Sequence, residues 1–494
     1  MGEQGELMRV LHFIVAIMLL APCARAQGSY RSAALGGRSA LMGDTGVALG
    51  TDGAAPFLNP ATVVRVESTL ALSVTFISID VLRGGSWYVP GPVDPRYGSV
   101  PPVGADIGRI SGNALPSTLC LFSSLPKLWQ RKATTEPPTR TGNEKLALCL
   151  GTTELQAFDW VGQGYQPPQG GGLIAQASSV RFSWQRFVVA PTYAIDVTND
   201  LAFGASLQGT FTNFGSSSSV GAITTGSTIA PTSSSYQFGA SGSDFGLSAI
   251  IGGTLRVGKL AIGASVQSPD VSIYGHGNES NYVDYATAAA QASATYLGQG
   301  GFHARNPTRM ALGIGYDWPH GSVEFDAQLA LADGNALEMD LQGTQTQLPA
   351  ATSVPQALTL NTRYQPTVNA SAGIEVFVRK SFSLLGGFAT DFSAVDGLGP
   401  ASLAPTKVNR LLGSFGVGSH SDGGTVLIGA QAYFGWGQAL APNVYANPPV
   451  ETPTNVQTFG ILFVLAGATD LKAITRAVND VRQLVTPKPT PPTP

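Results

Sequence analysis

The chain has 494 residues, 60 of them glycine, with 12% charged side chains and a formal net charge of −3. Soluble domains carry about 25% charged residues, so much of this surface is built to face something other than water. The near-neutral balance offers no basic face for nucleic acid, and beyond the leader no run of about 18 apolar residues is available for a membrane-spanning helix.

The first stretch reads as a signal. Val10 to Ala21 is an apolar run of about a dozen residues, short of the about 20 a helix needs to cross a bilayer. Ala24-Arg25-Ala26 supplies an A-x-A cleavage site, so residues 1–26 are expected to be a signal peptide with Gln27 as the first mature residue. Glu3 and Glu6 sit badly in a positive n-region, which makes Met8-Arg9 the more conventional start. A secretory leader, low charge and no spanning helix leave a β-barrel of the bacterial outer membrane, whose spans alternate instead of running apolar.

Residues 27–62 are small, nearly uncharged and glycine-punctuated (Gly36, Gly37, Gly43, Gly46, Gly50, Gly53) and close on Asn59-Pro60-Ala61. Pro60 fixes its own φ and pushes Asn59 to an extended conformation, which makes a firm corner before the first strand. This stretch is either a flexible N-terminal arm or a packed plug.

From Thr69 onward, alternating segments recur at 69–80, 115–125, 145–153, 180–197, 200–213, 244–256, 259–272, 307–317, 321–332, 366–379, 382–392, 409–420, 424–436 and 455–467. The expected fold is all-β, a 14-stranded antiparallel transmembrane β-barrel over 69–467 with both ends on one side. In 321–332, Val323, Phe325, Ala327, Leu329 and Leu331 share one face while Glu324, Asp326 and Gln328 share the other. A soluble β-sandwich would alternate in the same way. The connections separate the two: very short links such as Thr198-Asn199 and Val257-Gly258 alternate with long ones at 81–114, 154–179, 214–243, 273–306, 333–365, 393–408 and 437–454, the outer-membrane pattern. The link 126–143 is long where a turn is due. Within loop 273–306, Val283 to Leu297 is expected to form a short helix. Pro191 inside its strand removes a ladder hydrogen bond and predicts a bulge or kink.

These pieces in order resemble the FadL family of outer-membrane transporters for long-chain fatty acids and other hydrophobic compounds. The resemblance is carried by Ser29–Thr62 with its Asn-Pro-Ala corner, by Val189-Ala190-Pro191-Thr192-Tyr193-Ala194 followed by Thr198-Asn199-Asp200-Leu201-Ala202-Phe203-Gly204, and by Val266-Gln267-Ser268-Pro269. It implies that 27–62 is a plug gated around Asn59, Pro60 and Ala61, and that loops 214–243 and 273–306 form an outer capture groove. A kinked strand, here marked by Pro191, would open a lateral path. It also implies lipid, lipopolysaccharide and the barrel assembly machinery as partners. The chain departs from the family at its end. Asp470–Leu484 carries one helical stripe and Pro487–Pro494 is proline-rich, so 468–494 reads as a periplasmic helix and tail suited to a periplasmic partner. A barrel that merely anchors such a partner is the competing reading.

No catalytic or metal-binding constellation stands out. His276, His303, His320 and His420 lack ligand-spaced partners, and neither G-x-S-x-G nor a nucleotide-binding loop is present. No enzyme and no cofactor is expected. The lumen face is unusual in carrying apolar residues: by parity Ile77, Ile79, Ile250, Phe377, Leu385, Leu462 and Val464 point inward. They would line a pocket for an apolar ligand or seat the plug. Arg256, also inward, would pair with a ligand carboxylate, with Glu324 or with Asp326. Cys120 and Cys149 fall in neighbouring strands and form either a disulfide or two buried thiols.

Overall fold

The computed structural model describes residues 34–84, 106–111, 115–124, 143–166, 172–226, 232–287, 290–399, 402–421, 423–443 and 450–471. The expected signal peptide, the insertion 126–142 and the tail beyond Leu471 lie outside the described residues.

The β segments are β1 (Thr69–Gly84), β2 (Asp106–Ser111), β3 (Leu115–Ser124), β4 (Glu144–Gln166), β5 (Gly172–Asp196), β6 (Leu201–Gly226), β7 (Thr232–Val257), β8 (Leu260–Gln267), β9 (Val271–Thr287) and β10 (Gln291–Ala304). They continue with β11 (Arg309–Trp318), β12 (Gly321–Ala330), β13 (Asp333–Leu348), β14 (Thr352–Tyr364), β15 (Thr367–Arg379), β16 (Phe382–Asp391), β17 (Thr406–Ser421), β18 (Gly424–Asn443) and β19 (Val450–Asp470). The pairs β2/β3, β8/β9, β10/β11, β12/β13 and β14/β15 are each one strand with a break, so the segments form a 14-strand antiparallel ring. The ring closes where β1 pairs with β19 from Thr69↔Asp470 to Gly84↔Val456. Closure leaves no strand edge in lipid, where an unpaired backbone group costs several kcal/mol.

The outer face carries the apolar belt. Leu146, Leu148 and Leu150 on β4, Phe203, Leu207 and Phe211 on β6, and Met310, Leu312 and Ile314 on β11 are all exposed. Further from the short turns, the outer face becomes polar: Ser183 and Arg181 on β5, Ser217 on β6 and Ser243 on β7 are exposed there. About ten tilted residues per strand give a belt about 25 Å tall, the hydrocarbon thickness such barrels span.

The strands do not stop at the belt. Most of the long links expected as loops continue as paired strands: β4–β5 stays in register out to Gln166↔Ile174 and β6–β7 out to Thr224↔Thr232. The helix expected at 283–297 is instead the β9–β10 hairpin, with Val283 opposite Ala294 and Tyr285 opposite Ala292. β7 pairs with β9 on one side and β13 with β10 on the other. Ladders on both flanks satisfy most of the hairpin's backbone groups, and Val, Thr and Tyr suit a pleated surface better than a short helix.

Inside the ring, at the end with the short turns, lies the segment 34–66, with short helices Arg38–Leu41 and Ala55–Leu58 and a 3₁₀ helix Pro60–Arg65. Gly43 has φ +71°, and a side chain there would meet the Phe388 backbone nitrogen at 2.6 Å, so only glycine fits.

Candidate functional site

The inner segment is tied to the lumen wall by a set of polar contacts. On β12, Asp326 Oδ2 accepts from the backbone N–H groups of Gly46 (2.8 Å) and Val47 (3.1 Å), and Glu324 Oε1 accepts from those of Ala48 (2.6 Å) and Leu49 (2.9 Å). Period two sets both carboxylates on the lumen face, spaced to take four consecutive amides. Arg38 donates from Nε to Glu375 Oε2 of β15 (2.7 Å), from Nη2 to Ser322 Oγ (2.7 Å) and from Nη1 to the Leu49 carbonyl (3.2 Å). Ser383 Oγ donates to the second oxygen of Glu375 (2.9 Å), and the His420 ring lies 2.8 Å from the same hydroxyl. Opposite, Gln431 Nε2 donates to the Ala40 carbonyl (2.7 Å) and Ser414 Oγ to that of Leu41 (2.9 Å). Charge-assisted bonds of this kind are the strong ones.

Asn59, Pro60 and Ala61 form a corner wedged against β6 and β7. The Asn59 amide donates to the Val47 carbonyl (2.7 Å) and the Gly253 carbonyl (3.1 Å), while its oxygen accepts from Ala61 N–H (3.1 Å). Gly204 and Gly252 make this approach possible: a Cβ would stand 2.4 Å from the Pro60 carbonyl carbon and 2.0 Å from Asn59 Oδ1.

The apolar lumen residues divide into separate places. Leu385 and Val464 pack against Ala34, Ala40, Leu41 and Met42 of the inner segment. Leu462 sits beyond it, against Ala389, Leu412 and Tyr433. Ile250 is buried on the far wall, in register with Ser206 and Gln267. Phe377 lies half-buried beside His420, ring centroids 5.1 Å apart. Arg256 is at the turn end, its Nη1 3.4 Å from Asp317 Oδ2; Glu324 and Asp326 are engaged by the inner segment instead.

Ile79 does not point inward. A bulge between Thr75 and Ile77 in the β1–β19 ladder reverses the parity beyond it, so Ile79 pairs with Ile461 on the outer face. Ser78, Asp80 and Leu82 take the lumen side instead: Tyr433 donates its hydroxyl to Asp80, and Leu82 packs on Val408 and Val456. Ile77 stands in register with Phe463, and its side chain lies outside the described residues. Pro191 is exposed on the outer face and produces no bulge. Pairing to β6 lapses at Ala190 and Pro191 and resumes in the same register. The bulge in this part of the wall falls one strand earlier, at Thr152/Glu154 of β4. Cys120 and Cys149, directly opposite in the β3–β4 ladder, are joined as a disulfide.

Two further features were not foreseen from the sequence. One is the carboxylate–amide set just described, whose amide partners carry no sequence signature. The other lies towards the loop end of the lumen: Phe182, Trp184, Phe214, Phe302, Met339 and Leu341 form a continuous apolar cluster reaching from β5 and β6 across to β13. Phe214 stacks on Phe302 with centroids 5.6 Å apart. Beneath it Arg186, 1% exposed, bonds Glu154 (3.0 Å), Thr212 (3.0 Å) and the Ala304 carbonyl (3.1 Å), while Trp184 donates to Glu154 (2.7 Å). Alternation through Phe182-Ser183-Trp184-Gln185 was the available signal.

A closed antiparallel barrel with an internally bonded N-terminal segment defines the class. No family model matches the chain, and no curated protein matches it. Among solved structures, a Pseudomonas aeruginosa FadL homologue is similar at 13% identity over 91% of this chain and 99% of that one, with a TM-score of 0.54. The toluene transporter TodX of P. putida is similar at 13% identity over 90% and 99%, with a TM-score of 0.55. The fold is FadL-like.

Proposed function

We propose that the protein is an outer-membrane channel for passive uptake of hydrophobic small molecules, with residues 34–66 acting as its plug. The short turns then face the periplasm and the strand extensions the medium. The observation that carries this reading is how the inner segment is held. It sits in the lumen at the periplasmic end, held by hydrogen bonds, the Arg38–Glu375 ion pair and small apolar contacts, below a wall with Leu412, Tyr433 and Leu462 facing inward. Such contacts are specific yet reversible, as a gate requires. The apolar wall suits a ligand that gains about 0.8 kcal/mol per buried CH₂. Toluene as the cargo of a protein with this fold supports an apolar ligand class. Within this reading residues 1–26 are the removed signal, lipopolysaccharide surrounds the belt, the barrel assembly machinery inserts the chain, and residues 468–494 meet a periplasmic partner. No energy source is built in, so flow follows the concentration difference or consumption inside the cell.

The test is deletion of 29–55 from the full chain, with small molecules extracted from both purified proteins and identified by mass spectrometry. A stoichiometric apolar compound present in the parent and lost with the plug is expected, together with altered uptake of that compound. Unchanged binding and uptake in the deletion would remove the plug from the mechanism.

A further inference from the structure

Arg410 of β17 faces the lumen with its donors unused. It shares the inner face of its strand with Val408 and Leu412, and Asp391, buried on the same face, stands directly opposite across the β16–β17 ladder. Its guanidinium lies over the Tyr433 ring of β18, Cζ 4.8 Å from the centroid, and Tyr433 donates its hydroxyl to Asp80 of β1. A cation over a phenol face is held in place without spending its N–H groups. Among the described residues none accepts a hydrogen bond from this guanidinium, and its Nε is buried without a partner. The contrast within the barrel is plain: Arg38 donates to Glu375 and Arg186 to Glu154. Arginine carries five N–H donors, and a buried one left unmet costs stability.

Charge and packing define what could meet these donors. Asp391 across the ladder, and Asp80 on the hydroxyl of the ring beneath, already set two carboxylates beside one guanidinium. A third negative charge entering this wall would lose its hydration without gaining a free cation. A neutral acceptor oxygen brings no charge and still takes an N–H. On the side towards the short turns, Ala389, Leu412 and Leu462 form one apolar cluster with Tyr433. Two residues further along β18, Gln431 donates to the Ala40 carbonyl of the inner segment. A molecule bonded to Arg410 therefore lays an apolar body along this wall towards the inner segment.

Resting on the uptake reading, we propose that Arg410 is a specificity-determining residue of the lumen. It selects neutral, largely apolar molecules that carry an acceptor oxygen, such as an aryl ketone, over both plain hydrocarbons and carboxylates.

The test is equilibrium dialysis of radiolabelled acetophenone against the full-length protein in lipid nanodiscs, with empty nanodiscs as the blank. Ethylbenzene, of similar shape without the oxygen, and benzoate, with a charge, are the competitors. Acetophenone is expected to bind at least tenfold more tightly than either. Arg410→Met keeps an unbranched side chain without donors; it should weaken acetophenone binding at least tenfold and leave ethylbenzene unchanged. Its folding is checked by heat-modifiable migration in electrophoresis. The carbonyl resonance of ¹³C-labelled acetophenone on the parent reads the same bond without any substitution, and a downfield shift from its position in empty nanodiscs is expected. Ethylbenzene or benzoate binding the parent as tightly as acetophenone, an unshifted carbonyl, or parental affinity in a folded Arg410→Met would each overturn the proposal. A parent that binds acetophenone through Arg410 yet carries none into proteoliposomes would refute the uptake reading and leave the binding site standing.

Discussion

Glu324 is the residue whose removal reports most directly on how the inner segment, the proposed plug, is held. Its carboxylate is fully buried and accepts two plug amides, Ala48 N–H at 2.6 Å and Leu49 N–H at 2.9 Å. Hydrogen bonds to a charged group contribute about 1.5–3 kcal/mol each, so Glu324→Ala should weaken the local hold by about 3–6 kcal/mol before water enters the gap. At 1.4 kcal/mol per tenfold, that is about two to four decades in the opening equilibrium. The assay is amide hydrogen exchange in detergent micelles, read at residues 46–49 against the β12 ladder. Protection at 46–49 should fall by that amount while β12, paired with β11 and β15 through its backbone, keeps its own. Glu324→Gln retains an acceptor oxygen and should lose only the charge-assisted part, about half. Parental protection at Ala48 and Leu49 in the alanine variant would refute the reasoning, because the carboxylate would then not be what fixes these amides.

Two other outcomes follow from single groups. Leu385→Ala empties a buried position against Leu41 and Met42 and should cost about 2–5 kcal/mol; exchange at 40–42 should accelerate, and unchanged exchange there would remove Leu385 from the seat. Glu279, on the β9 strand extension, is buried with one oxygen unpartnered, and burial pushes its carboxyl up to about 7. The native state then binds more protons than the unfolded chain between the ordinary value of 4.5 and about 7, so the β9–β10 hairpin should lose stability as pH rises through that window. Glu279→Gln should flatten the pH dependence of exchange in 277–300, and a parental slope in the variant would exclude this carboxyl as its source.

The belt and the ring were legible in the sequence because period two is enforced by lipid on one side and lumen on the other, so Phe203, Leu207 and Phe211 mark their strand unaided. The strand extensions were less legible. Outside the belt the extensions of β6 and β7 are rich in Ser and Gly, and such composition looks like loop even though Phe214 and Ala240 stay buried within. The inversion at Ile79 had no signal at all: a bulge adds one residue without changing composition, and every parity argument beyond it fails. Glu324 and Asp326 were visible as lumen carboxylates, yet they suggested a cation such as Arg256. Their partners are four backbone amides, which any residue supplies.

That pairing bears on the proposed gating. Glu324 and Asp326 are successive lumen residues on one strand, and they hold four consecutive amides at 46–49. A displacement of the inner segment by roughly 3 Å away from β12 would take all four beyond hydrogen-bonding distance together. Arg38 joins the same unit, since it bonds the Leu49 carbonyl as well as Glu375. Release should therefore be all-or-none and not residue by residue, and the effects of Arg38→Ala and Glu324→Ala should not add. Independent sites add within about 0.3–0.5 kcal/mol, whereas members of one network show interaction energies of about 0.5–3 kcal/mol. A double-mutant cycle read from exchange at Gly46 and Val47, amides that neither side chain touches but Asp326 does, should give an interaction energy of at least about 1 kcal/mol. Additivity at those two amides would mean that the plug frays from one end, and the four-amide clamp could not serve as a single switch.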